Sequence, residues 1–141
     1  MQSEALRIQA TIADLAAITD DARHIAEVAA STWREMFVVL SSVIGPGGVS
    51  ALYQRSLYVT RTAYPCLAAV HEDPLRVGEF AALQMVLSQQ TSAQVVAANG
   101  ALLETYCELL ANLIGVSLTE RLLRSVRSLP RSNPAVQDIR I

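Results

Sequence analysis

The chain has 141 residues, of which 52% are hydrophobic and only 17% charged, with a formal net charge of -2. That length suits one domain with its own core. The weak negative charge argues against a nucleic-acid partner. With only Cys66 and Cys107, a disulfide framework is excluded.

The apolar fraction exceeds what one small core absorbs, which predicts a homodimer with a buried interface. A cavity for a small apolar ligand between helices is the alternative use of the same excess. Met36 to Gln54 carries no charge, but Gly45-Pro46-Gly47-Gly48 interrupts it before the ~20 apolar residues that a membrane span needs. The stretch that opens the sequence has no basic region followed by an apolar block. A cytoplasmic protein with no membrane span is expected. All the basic residues are arginine, which fits a GC-rich bacterial genome.

Helical periodicity dominates from the start. Leu6, Ile8, Ile12, Leu15 and Ala16 mark a helix over residues 4–18. It is either separate or bent near Thr19 into the next, whose stripe runs through Ile25, Val28, Ala29, Trp33, Met36, Leu40 and Val43. Thr19 or Asp20 is the expected cap of that second helix. The glycines and proline at 45–48 predict a corner between helices, since glycine accepts positive φ and proline cannot propagate a helix. Beyond it, Val49, Leu52, Tyr53, Ser56, Leu57, Thr60 and Tyr64 form another stripe, ended by Pro65. Residues 66–70 add a turn or two. Asp73 and Pro74 then read as the cap and first turn of a helix running to about Gln89.

Thr91 or Ser92 caps a helix with the stripe Val95, Ala98, Leu102, Tyr106, Leu109 and Leu113, which stops at Gly115. Gly100 within it predicts close helix packing. Ser117 and Glu120 have capping-box spacing, followed by a last helix with Leu118, Leu122, Leu123 and Val126. No strand alternation is visible. The expected fold is all-α, a compact antiparallel bundle of five or six helices, with residues 1–128 as one domain and 129–141 as an irregular tail.

The chemistry is sparse. Gly47 and Gly48 could offer amides to an anion at a helix start, but the chain has no phosphate-loop lysine and lacks the dinucleotide-loop spacing. Asp20, His24 and Glu27 share one helical face, and Glu104 with Glu108 forms an i,i+4 pair. Two such faces could hold a metal, although Glu-x-x-His motifs are absent and no metal or other cofactor is expected. The residues His71 to Pro74 share only their first two with the phosphoacceptor segment of sensor histidine kinases and read as a turn and cap. No serine or cysteine has a visible base to activate it. Arg121, Arg124 and Arg127, with Arg131, form a basic edge suited to an acidic protein partner. Leu109, Leu122, Trp33 and Tyr58 are the expected interface residues. The sequence therefore predicts a non-catalytic interaction or regulatory module that homo-oligomerises, in a bacterial signalling context.

Overall fold

The computed structural model describes residues 3–72 and 80–126. The expected cap at Asp73 and Pro74, Arg127, Arg131 and the tail at 129–141 lie outside these residues. Six helices pack around one core: α1 (Ser3–Ile18), α2 (Ala22–Thr60), α3 (Cys66–Glu72), α4 (Ala81–Ser88), α5 (Ser92–Ile114) and α6 (Val116–Leu123). The protein is an all-helical bundle, with no strand among the described residues.

α1 and α2 are separate helices, and the cap between them lies one or two residues later than expected. Asp21 accepts from the backbone N–H of Arg23, while Thr19 Oγ1 accepts from Asp21's own N–H. Three adjacent oxygen-bearing side chains compete there, and the one facing the free amides wins.

α2 consists of two helical limbs that meet at Gly45, where φ is 79° and ψ is 156° and the chain reverses. Trp33 and Tyr53 prove the reversal. Twenty residues apart, they would be separated by about 30 Å along a straight helix, yet their ring centroids lie 5.5 Å apart. The outgoing limb, 22–44, and the return limb, 46–60, form a helical hairpin that buries Met36 and Leu40 along with Val49, Tyr53 and Leu57. By length and composition, Ala22–Thr60 is a helix apolar enough to cross a membrane. Its apolar run is nonetheless folded back on itself rather than straight.

α5 packs along α2 and α1, α4 lies on α2, and α6 reaches back to α1. A capping box starts α5: Thr91 Oγ1 accepts from Gln94 N–H, and the Gln94 side chain accepts from Thr91 N–H. The capping box expected at Ser117 and Glu120 does not form. Gly115, at φ 94°, ends α5 and starts α6 directly, so Ser117 already lies inside the helix. The helix expected to run through residue 80 does not include it: α4 starts at Ala81, after Phe80 in the left-handed conformation at φ 54° and ψ 23°. That costs an L-residue roughly 1–2 kcal/mol. Its ring is buried against Trp33, Phe37 and Tyr53, which offsets the cost.

The hairpin makes a paired prediction. Gly45→Ala should lower stability by about 1–3 kcal/mol, the cost of a side chain in a region reserved for glycine. Gly47→Ala should be neutral or stabilising by up to ~1 kcal/mol, because a methyl there meets nothing within 4 Å. Urea midpoints of the two variants check this, and equal losses at both positions would contradict the placement of the reversal.

Candidate functional site

The hairpin gathers an aromatic hub. Trp33 has Tyr53 and Tyr106 edge-on at 5.5 and 5.2 Å, with Phe80 tilted at 6.0 Å. Such pairs add about 0.5–1.5 kcal/mol beyond their buried area. The indole Nε1–H donates to Asn99 Oδ1 at 2.9 Å, and Asn99 is buried in α5. The hydrogen bond ties the outgoing limb of α2 to α5 across 66 residues. Sequence periodicity placed neither Asn99 nor this pairing. The hydroxyls of Tyr53 and Tyr106 are buried with no partner among the described residues. Burial pushes both phenols well above their ordinary range, with Cys107 adding to the effect at Tyr106.

Trp33 is therefore a correction to the expected interface. At 2% exposed it lies at the centre of the core, because the return limb covers the side of the helix that would otherwise face outward. Leu122 and Leu109 are half-buried, Leu122 packing against the core. Tyr58 is exposed.

The residues considered for chemistry stay dispersed. His24 Nδ1 lies 3.6 Å from Glu27 Oε1 on the exposed side of α2, and Asp20 is exposed before that helix. Glu104 and Glu108 stand exposed on α5. Among the described residues no three His, Cys, Asp or Glu side chains converge at metal-binding distance. Gly47 is exposed at the tip of the hairpin, and Gly48 packs beside Ile44. Burial pushes the Cys107 thiol up to about 12, with the charge of Glu120 adding to it, and also raises Cys66. Thiols held protonated in this way are poor nucleophiles.

A reciprocal clamp joins α1 to α6. Glu120 Oε1 accepts from the Glu4 backbone N–H at 3.0 Å, satisfying a free amide in the first turn of α1. Arg7 donates to the carbonyls of Leu123 and Val126, at 3.1 and 3.0 Å, where α6 ends. Arg7 also pairs with Glu4 at 2.6 Å, and Arg124 lies 3.6 Å from the same carboxylate. Of the expected basic edge, Arg124 is thus already engaged by Glu4, while Arg121 is exposed.

No protein-family model, curated protein or solved structure matches the chain. The surface must speak for itself. α1 turns outward a narrow stripe without charge: Leu6, Ala10, Ala13 and Ala17, spaced 4, 3 and 4 residues apart and all exposed. Leu6 is 54% exposed, and Ile18 beside this stripe is more exposed still. Arg7 and Asp14 flank the stripe. Leu113 is 60% exposed near the end of α5, with Val116 following it.

The clamp carries a pH signature. The Arg7 hydrogen bond above all, and the charges of Arg7 and Arg124, hold the Glu4 carboxyl below its ordinary value of 4.5, against a smaller opposing effect of burial. A depressed carboxylate stabilises the fold at pH values above the ordinary one, and that contribution disappears as the pH falls through the lower folded value. Wild type should therefore exceed Glu4→Gln in urea stability near neutral pH, and the gap should close on acidification below 4.5. A gap independent of pH would show that the ionised carboxylate is not what clamps the helices.

Proposed function

We propose that this chain is a non-catalytic helical module that pairs with a second copy of itself and regulates a partner protein, in the cytoplasm of a bacterium. The uncharged outward stripe of α1 carries this reading. A helix lying on a bundle normally directs charged side chains to water. Here Leu6, Ala10, Ala13 and Ala17 form an exposed stripe of methyl and isobutyl groups, with the exposed Arg7 and Asp14 along its edge. Small residues also let two helices approach to the short end of the usual 8–10 Å interaxial range. The ligand-binding alternative is less well supported at Gly100, where a methyl would already touch the Gln9 side chain at 3.7 Å.

Sedimentation equilibrium tests the proposal. Wild type should sediment at twice the 15.2 kDa chain mass. Ala13→Arg, on an exposed site that the fold tolerates, should weaken dimerisation at least tenfold and leave the helical circular dichroism intact. A monomeric wild type, or a variant that dimerises like wild type, would refute pairing through α1.

A further inference from the structure

The return limb of the α2 hairpin and its cap carry two guanidinium groups that form no ion pair among the described residues. Arg55, Tyr58 and Arg61 lie at i, i+3 and i+6. The Arg61 guanidinium stacks on the Tyr58 ring at 4.2 Å and that of Arg55 lies 5.5 Å from the same ring. From α3, the imidazole of His71 packs 5.7 Å from it. No carboxylate pairs with Arg55, Arg61 or His71 among the described residues, and Arg61 Nε is buried with no hydrogen-bond partner. Arg7, Arg23 and Arg124 each have an acidic neighbour, whereas Arg121, like Arg55 and Arg61, has none among the described residues but lies against no aromatic ring there. Guanidinium groups fixed against an aromatic ring have already lost much of their side-chain freedom, so an incoming oxyanion meets donors set in place.

The surroundings decide what kind of anion fits. Tyr58 and Val59 are each 46% exposed. Val59 stands one turn beyond Arg55, and Ala51 and Thr62 extend the same exposed face. The cations therefore border an apolar strip. Tyrosine and arginine side by side are the residues most enriched where binding energy concentrates in protein interfaces. A free phosphate would use the guanidinium groups and leave that strip in water. A nucleic acid would face a chain whose net charge is -2.

We infer that the face formed by Arg55, Tyr58, Val59, Arg61 and His71 docks a protein segment in which carboxylates alternate with apolar side chains. The carboxylates take the two guanidinium groups and the apolar side chains cover Tyr58 and Val59. This deepens the regulatory reading by naming the partner's chemistry, and it uses residues other than those proposed for self-pairing. It also moves the acidic-partner site away from Arg121, Arg124 and Arg127, since Glu4 already engages Arg124.

The test is fluorescence anisotropy with a labelled octapeptide of alternating glutamate and leucine, its glutamine-leucine counterpart as control, in both wild type and the Ala13→Arg background. Binding of the acidic peptide should exceed that of the control at least tenfold in both backgrounds and weaken with salt. Arg55→Gln alone should lower affinity severalfold and Arg55→Gln/Arg61→Gln at least tenfold, with unchanged helical circular dichroism, while Arg121→Gln should match wild type. Loss of binding only in the Ala13→Arg background would tie the signal to self-pairing and overturn a separate site. Equal binding of both peptides, displacement of the acidic peptide by an equal concentration of inorganic phosphate, or wild-type affinity in the double variant would each overturn the assignment as well.

Discussion

Everything in this fold depends on the chain reversing at Gly45. Only a residue without Cβ takes φ 79° with ψ 156° at little cost, and that one departure brings Tyr53 onto Trp33. With the limbs apposed, the two faces of a single apolar stretch bury each other, and α5 and Phe80 close over the junction. The indole N–H then has to find an acceptor away from water, and Asn99 supplies it at 2.9 Å. An unpaired indole or amide in this position would cost about 1–3 kcal/mol, so the pair also selects the register of α5 against α2.

The second constraint lies at the α1–α6 contact. Both helices expose groups that their own backbone cannot satisfy: amides at the start of α1 and carbonyls at the end of α6. Glu120 and Arg7 each satisfy the other helix's free groups, and Glu4 neutralises Arg7 and Arg124 between them. Interior apolar packing and this polar clamp are complementary. The first fixes which faces meet, and the second fixes where along their axes α1 and α6 stop.

The parts legible in the sequence were those governed by local rules. Spacings of three and four residues located α1, both limbs of α2 and α5, and the glycines at 45 and 115 marked breaks because both need positive φ. Of the two caps expected for α5, Thr91 is the one that forms, and Gln94 completes a capping box with it. What escaped was set by distant contacts. Phe80 is left-handed because its ring is drawn into the hub, and nothing in its neighbours predicts that. Trp33 read as an interface residue because the return limb that covers it lies 20 positions further on. The Arg7 contacts span more than a hundred residues, so α6 looked like a free basic edge. Of the candidate surface, Arg55, Tyr58 and Arg61 had readable helical spacing. Their lack of acidic partners among the described residues, and the approach of His71, emerge only from the tertiary packing.

The central claim is that the hairpin holds Trp33 inside the molecule. Trp33 is the only tryptophan in the chain, so its fluorescence reports that position without ambiguity. Acrylamide quenching of the native protein, compared with the urea-unfolded chain, is the most direct measurement. The fold described here predicts blue-shifted emission and at least severalfold weaker quenching in the native state, unchanged in Ala13→Arg. Red-shifted emission, or quenching that rises in Ala13→Arg, would place Trp33 on a surface and contradict the hairpin as the organising feature of the structure.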